Sequence, residues 1–206
     1  IDFSEDLIQA HSEIDKLMPI IHLPIQSGSN RILKKMNRKH TVEDYLDIIK
    51  KLKNLNPLVK FSSDFIIGYP GETEEDFNAT IKLMKEVKYI NSFSFIFSPR
   101  LGTPAAELNK IDDSIAKKRL LRFQKFAEEI KIEYRNSLVN KISLVLFENR
   151  SKNKSEYFGR DEYLNSVIVK SDENLRGKIR KVRIMSGNQN TLFGELYFEE
   201  NKGFAA

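Results

Sequence analysis

The apolar positions of this chain follow two different periods, and the change between them lies near residue 136. Before that point, apolar residues three and four apart predict helices over about 42–55, 74–88 and 112–136. Short β-rich runs at 20–26, 60–68 and 92–98 lie before the three helices. Because strands and helices alternate, this part is expected to be α/β with parallel strands, built from right-handed βα units.

Local signals mark where two of these helices begin. Thr41 and Thr73 are each followed three residues later by an aspartate, Asp44 and Asp76, which is the pattern of a capping box. In the third strand the alternating residues are aromatic: Phe93, Phe95 and Phe97. Alternation of this kind is more typical of a core than of a cofactor site, so we expect these rings to be buried.

After residue 136 the chain becomes β-rich, with short runs at 141–148, 156–160, 166–170, 177–185 and 192–198. Five short strands in so few residues predict a small antiparallel β-barrel of the OB-like kind. We expect Phe147, Phe158, Phe193 and Phe198 to fill its core. The predicted domains are therefore 1–136 and 137–200, with a tail at 201–206.

The amino-acid composition limits the kinds of partner and metal site that the chain can have. The 206 residues carry a net charge of +5, which permits a polyanionic partner, and the C-terminal part is the more basic per residue. The chain has no cysteine, which excludes disulfides and cysteine-ligated metal clusters within it. Its histidines (His11, His22 and His40) have no zinc-site spacing, so we expect no metal ligand. No apolar run approaches the roughly 20 residues of a membrane span, and no signal peptide is visible, so a cytoplasmic protein is expected.

Three segments carry a more specific pattern. Residues 22–29 read His-Leu-Pro-Ile-Gln-Ser-Gly-Ser, residues 64–73 read Asp-Phe-Ile-Ile-Gly-Tyr-Pro-Gly-Glu-Thr, and residues 98–105 read Ser-Pro-Arg-Leu-Gly-Thr-Pro-Ala. In this order they resemble the methylthiotransferase family of radical S-adenosylmethionine (SAM) enzymes. The first segment favours the MiaB-type branch, which acts on isopentenylated adenosine in tRNA. The C-terminal barrel resembles the TRAM domain of that family, an RNA-binding module.

The resemblance implies methylthiolation of carbon 2 of an isopentenylated adenosine beside the tRNA anticodon. It implies SAM and two [4Fe–4S] clusters as cofactors, the clusters being ligated through cysteines that this chain lacks. The chain is then expected to be the second half of a partial (β/α) barrel plus the TRAM module, and inactive alone. The alternatives are a non-catalytic RNA-binding module, or a methylthiotransferase for another modified adenosine or a ribosomal protein.

Candidate site residues fall into two groups. At strand ends and in the βα turns, the resemblance implies cofactor contacts by Gln26, Ser27, Asp64, Ile66, Gly68, Phe97 and Ser98. From position alone, Gln26 and Ser27 could equally form an ordinary polar loop, and Asp64 could equally be structural. The second group consists of cations suited to the phosphates of a tRNA anticodon stem-loop: Arg38, Lys39, Arg100, Arg160, Lys178, Arg180, Lys181 and Arg183. We also expect self-association through an unpaired edge of the strand at 20–26.

Overall fold

The computed structural model describes residues 3–150 and 155–198, which form two compact units, Ile1–Lys131 and Ile132–Ala206. The division lies inside the last helix of the first unit, α5 (Asp113–Asn136). The predicted boundary between residues 136 and 137 therefore stays a prediction, and the predicted tail at 201–206 lies outside the described residues.

The first unit contains a three-stranded parallel sheet in the order β1 (Ile20–His22), β2 (Lys60–Ile67) and β3 (Asn91–Ile96). The predicted parallel α/β class is confirmed. Strand β1 is shorter than the predicted run, because Pro24 has no N–H to donate to a ladder. Pairing resumes at a single bridge between Gln26 and Phe65.

Helices α1 (Glu5–Glu13), α2 (Asn30–Lys35), α3 (Val42–Leu55) and α4 (Glu74–Val87) precede α5. Both predicted capping boxes are present. The Asp44 amide donates to Thr41 Oγ1 at 3.1 Å, and the Thr41 amide donates back to Asp44 Oδ2 at 2.8 Å. The Thr73–Asp76 pair repeats this exchange at 3.3 and 2.8 Å. The start of each helix is thus set by residues within four positions of each other.

The helices cover one face of the sheet and leave the other open. On the covered face, Phe65 is fully buried and its ring centroid lies 4.8 Å from that of Phe123 in α5. On the open face, Phe93 and Phe95 are 53% and 58% exposed, so the expectation that they are core residues is wrong. The alternation separates the two faces of β3 correctly but contains no signal for which face the helices cover.

The second unit is a closed barrel of β4 (Ile142–Arg150), β5 (Glu156–Asp161), β6 (Ser166–Lys170), β7 (Ile179–Gly187) and β8 (Leu192–Leu196). Its strand order is β4-β5-β6-β8-β7, and the β6–β8 pair is parallel while the others are antiparallel. A crossover between β6 and β8 makes that pair parallel, which strand patterns alone do not reveal.

The barrel core contains Phe147 as expected, together with Tyr157. Phe158 is only half-buried, and Phe193 and Phe198 are 38% and 71% exposed, so these expectations are wrong. In β5 the alternate residues Tyr157 and Gly159 point inward, which turns Phe158 outward. Among the described residues of both units, no helix has the length and apolarity that crossing a membrane requires.

Candidate functional site

A cleft of about 900 Å³ lies at the C-terminal ends of β2 and β3, the position where α/β sheets place ligands. It brings together residues from all three sequence segments. Five of the seven predicted cofactor residues line it, together with two of the predicted RNA-binding cations: Gln26, Asp64, Ile66, Phe97, Ser98, Arg38 and Arg100. Apolar side chains form much of the remaining wall, including Met36, Phe95 and Pro104.

Gln26 has an unusual backbone conformation at this cleft. Its φ angle is 75°, in the left-handed region that non-glycine residues seldom adopt. Two hydrogen bonds with β2 hold it there: its amide donates to the Asp64 carbonyl at 3.0 Å, and its carbonyl accepts from the Ile66 amide at 2.9 Å. Strain that is held in place beside a cleft points to a functional reason for the residue.

We expect Gln26→Gly to raise the free energy of unfolding by about 1 kcal/mol, because glycine relieves the left-handed strain. The same change should weaken binding of S-adenosylhomocysteine, because the amide side chain is lost from the cleft. Urea unfolding and NMR titration measure the two effects. Lys88→Gly is the control, since Lys88 has φ 57° at the C-terminus of α4. It should stabilise without changing binding; an unchanged affinity in Gln26→Gly would contradict a ligand role for Gln26.

Ser27 and Gly68 lie behind the cleft wall. Ser27 is 1% exposed, and its Oγ accepts from the Ser29 amide at 3.2 Å. Gly68 has φ +74°, and a Cβ there would lie 2.9 Å from the Cβ of Ala116 in α5. These two residues shape the turns that support the lining residues.

A buried ion pair, missed by the sequence analysis, fixes the turn after β2. Arg119 Nη1 in α5 donates to both Oε2 and the carbonyl of Glu72, at 3.0 Å each. The same carboxylate oxygen accepts from the Gly68 amide at 3.1 Å. Burial raises the pKa of Glu72, and this outweighs the opposing effects of the Gly68 amide and Arg119.

A second carboxylate joins the first segment to the start of α4. Asp76 accepts hydrogen bonds from Ser29 Oγ at 2.6 Å and from the Arg31 guanidinium. Burial by itself would raise the pKa of Asp76, but hydrogen bonds from Arg31, Ser29 and Thr73 outweigh it and hold the pKa well below its usual range. The Gln26–Ser29 turn is thereby tied to the N-terminus of α4.

Cations surround the cleft. Lys35, which the sequence analysis did not single out, lines it with Arg38 and Arg100, whereas the predicted Lys39 is exposed outside the lining. Thr103 Oγ1 donates to the Arg100 carbonyl at 2.8 Å and closes the turn that carries this arginine. The Tyr69 hydroxyl donates to the Lys35 carbonyl at 2.9 Å and so joins the turn after β2 to α2. The arrangement suits an anionic group at the cleft.

The barrel separates its predicted RNA-binding cations into different environments. Lys181 and Arg183 are exposed on the outward face of β7, and the Arg183 guanidinium lies 5.0 Å from the Tyr197 ring centroid. Lys178 and Arg180 both contact Glu173 Oε1, at 2.7 and 3.1 Å. Arg160 Nε lies 3.2 Å from Glu148, with its guanidinium 5.5 Å from the Phe158 ring centroid.

The barrel also contains a polar pocket that the sequence did not predict. It has a volume of about 550 Å³ and is lined by Asn149, Arg150, Tyr157, Asn174 and Arg176. The Arg150 guanidinium lies 5.3 Å from the Tyr157 ring centroid. An arginine stacked on an aromatic ring is a geometry that also suits nucleobases. Its members are far apart in sequence, which is why no local pattern revealed it.

The residues present do not fit an iron–sulfur cluster. The chain contains no cysteine, and the described residues hold no group of three histidine, aspartate or glutamate side chains placed to bind a metal ion. The polar and apolar groups that line the cleft do fit a nucleoside-containing cofactor.

Comparison with known proteins finds a separate match for each of the two units. Residues 2–84 match the radical SAM superfamily, and residues 136–197 match the TRAM domain. A protein of Pelagibacter ubique named tRNA-2-methylthio-N(6)-dimethylallyladenosine synthase is 50% identical over 204 residues, 99% of this chain and 46% of the relative. Proteins of the same name from Wolbachia pipientis and Zymomonas mobilis are 46% and 44% identical, over 94% and 99% of this chain and 44% and 45% of their own lengths.

The chain thus spans about half the length of the curated relatives it matches. Both of its units have a counterpart, since one family model falls within the parallel-sheet unit and the other covers the barrel. Over nearly all of its length the chain is therefore similar to part of the tRNA-2-methylthio-N(6)-dimethylallyladenosine synthases, with a match to the radical SAM superfamily followed by a TRAM domain.

Proposed function

We propose that the protein methylthiolates carbon 2 of isopentenylated adenosine beside the tRNA anticodon, and that this chain supplies the cofactor cleft and an RNA-binding barrel. The observation that carries the proposal is the cleft itself, where residues of three distant segments meet at the ends of two parallel strands. The names of the relatives agree with it. No specific observation favours another modified adenosine or a ribosomal protein.

Within the cleft, the lining residues suit SAM. Ile66 and Phe97 offer apolar surface for an adenine ring, while Gln26, Asp64 and Ser98 offer groups for its hydroxyls and its amino-acid part. When bound beside an iron–sulfur cluster, SAM supplies the radical chemistry of the family. Ser27 and Gly68 support the wall from behind and help to keep its geometry fixed.

The two [4Fe–4S] clusters of the proposed enzyme need ligands from outside these 206 residues, because cysteine is absent. The chain alone is accordingly proposed to be inactive. Since its proposed substrate is tRNA, the protein is proposed to be cytoplasmic. Self-association through the edge of β1 stays a prediction.

The cationic residues are proposed to contact the phosphates of the anticodon stem-loop. Arg38, Lys39 and Arg100 belong to the cleft unit, and Arg160, Lys178, Arg180, Lys181 and Arg183 to the barrel. Lys181 and Arg183 are exposed, as is Arg160, and Tyr197 adds an aromatic ring beside Arg183. Basic groups that alternate with aromatic rings suit looped RNA.

We expect the double substitution Lys181→Ala and Arg183→Ala to weaken binding of an anticodon stem-loop RNA by about tenfold at about 0.1 M salt, through the loss of two phosphate contacts. The slope of log K against log salt should become shallower by about 1.5. Fluorescence anisotropy at several salt concentrations measures both quantities.

Lys178→Ala with Arg180→Ala is the matched control. It removes the same charge from the same strand region, but both side chains are half-buried beside Glu173, whereas Lys181 and Arg183 are exposed, so the loss should be smaller. An unchanged salt slope in the Lys181/Arg183 variant would contradict the assignment of this face to RNA.

Titration with S-adenosylhomocysteine, followed by amide NMR, distinguishes the proposed enzyme function from the alternative of a non-catalytic RNA-binding module. The enzyme proposal expects shifts at Gln26, Ile66 and Phe97. RNA binding without any shift at these amides would instead support the non-catalytic RNA-binding module.

A further inference from the structure

A histidine on the open face of the sheet lies next to Asp64 of the cleft, and the function proposed above does not use it. His22 Nδ1 lies 2.9 Å from Ser62 Oγ, and His22 Nε2 lies 3.5 Å from Asp64 Oδ2. The Phe93 ring and the imidazole form a T-shaped contact, with 6.2 Å between the centroids and 68° between the ring planes. Strand register brings these residues together, since His22 pairs with Ser62 and Asp64 with Phe93.

The chemistry of the two contacts selects one tautomer of the imidazole. An ionised carboxylate only accepts, so the ring nitrogen that faces Asp64 has to carry a proton. In the neutral ring, Nδ1 is then an acceptor, and the Ser62 hydroxyl donates to it. Ser62 is 5% exposed, so few water molecules compete for this hydrogen bond. The aspartate therefore sets the tautomer, and the Ser62 hydroxyl, which can donate as well as accept, completes it by donating to Nδ1.

Asp64 is the residue of this group that reaches the ligand space. It lines the cleft, whereas His22 does not. Among the described residues that line the cleft, Asp64 is the only carboxylate, and it shares the cleft with Lys35, Arg38 and Arg100. A carboxylate among three cations has competing partners, so a second group is needed to keep its orientation constant.

We propose that His22 is a positioning residue that holds the Asp64 carboxylate so that it accepts a hydrogen bond from a hydroxyl or amino group of an adenosine nucleoside in the cleft. This inference rests on the proposed function, because the nucleoside is either that of SAM or the modified adenosine of the tRNA. Phe93 and Ser62 fix the imidazole, the imidazole fixes the carboxylate, and the carboxylate contacts the ligand.

Two amide substitutions separate the contacts of the ring. In His22→Gln the amide nitrogen falls near the place of Nε2 and keeps a donor toward Asp64. In His22→Asn it falls near the place of Nδ1 and keeps only the contact with Ser62. NMR titrations of the 206-residue chain with S-adenosylhomocysteine and, separately, with N6-isopentenyladenosine give two dissociation constants for each variant.

We expect His22→Asn to weaken binding of one nucleoside by about tenfold and His22→Gln to stay within about twofold of the unsubstituted chain. The nucleoside whose affinity responds is the one that Asp64 contacts. A role confined to sheet packing predicts the reverse order or no difference, because the shorter amide of the His22→Asn variant would keep the Ser62 contact. Equal affinities in the two variants would overturn the inference and leave the proposed function standing.

A ligand-free readout adds an independent check. Nitrogen-15 spectra of the imidazoles, with His22 assigned from the His22→Asn sample, should show a protonated Nε2 and an unprotonated Nδ1, and Ser62→Ala should shift this tautomer balance. A predominant Nδ1–H tautomer would overturn the inference. If the unsubstituted chain binds neither nucleoside, the cofactor cleft of the proposed function fails, and the role of His22 fails with it.

Discussion

Replacing Arg119 with methionine is expected to lower the free energy of unfolding by about 3–5 kcal/mol at pH 7. Arg119 and Glu72 have side chains that are 8% and 1% exposed, so the substitution leaves a buried carboxylate without its cation. The loss should also loosen the turn after β2, because the same carboxylate holds the Gly68 amide. Urea unfolding followed by circular dichroism measures the effect.

The loss in the free energy of unfolding that Arg119→Met causes should depend on pH. Burial raises the pKa of Glu72 above its ordinary value of 4.5 even with Arg119 present. The stability contributed by a group with a raised pKa is complete below its ordinary pKa and is lost as the pH rises through the folded-state pKa. Without Arg119 that pKa rises further, so the deficit should be smallest near pH 4 and should grow toward pH 7.

Arg122→Met is the matched control, because Arg122 is 53% exposed and pairs with the half-exposed Glu74. Its loss should stay below about 1 kcal/mol. Adding Glu72→Gln to Arg119→Met should recover part of the stability by removing the stranded charge. The same deficit at pH 4 and pH 7, or an equal effect in Arg122→Met, would rule out a stranded Glu72 charge as the cause.

Gly28→Ala is expected to destabilise the chain by about 3 kcal/mol, because the added methyl group has no room. A Cβ at Gly28 would lie 2.5 Å from the Cα of Thr80 and 2.7 Å from the carbonyl oxygen of Ala79, both in the backbone of α4. The Gly28 amide also donates to Thr80 Oγ1 at 2.9 Å. Separating these backbones would move the Gln26–Ser29 turn and with it the cleft wall.

Gly187→Ala provides the comparison, since a Cβ there would meet chiefly the tip of the Leu192 side chain, at 2.9 Å. A flexible side-chain end can shift, whereas a helix backbone cannot, so the loss should be less than half of that at Gly28. Equal urea midpoints for Gly28→Ala and the unsubstituted chain would refute the close approach of the turn to α4.

The candidate site could be predicted from the sequence where one short segment determines it. Gln26, Asp64 and Phe97 were identified through the resemblance of their short segments to a known family, and the parallel strands that carry these segments bring them together. Lys35 and Tyr69 were missed, because the sequence does not show that α2 packs beside the turn after β2. The hydrogen bond from the Tyr69 hydroxyl to the Lys35 carbonyl joins these two elements at the cleft. Among the barrel cations, the sequence predicts a basic strand at 177–185, but it does not distinguish Lys181 and Arg183 from the residues that pair with Glu173.

The helix starts, the parallel class of the first unit, the barrel of the second and the motifs of the family could all be derived from the order of the amino acids. All of these depend on interactions between residues close in the chain, or on patterns of period 3.6 and 2. Three features became visible only in the folded chain: the open face of the sheet, the parallel pairing of β6 with β8, and the ion pairs Arg119–Glu72 and Arg31–Asp76. Each of these features involves residues far apart in sequence. Its free energy depends on how separate elements pack, so no short sequence pattern indicates it.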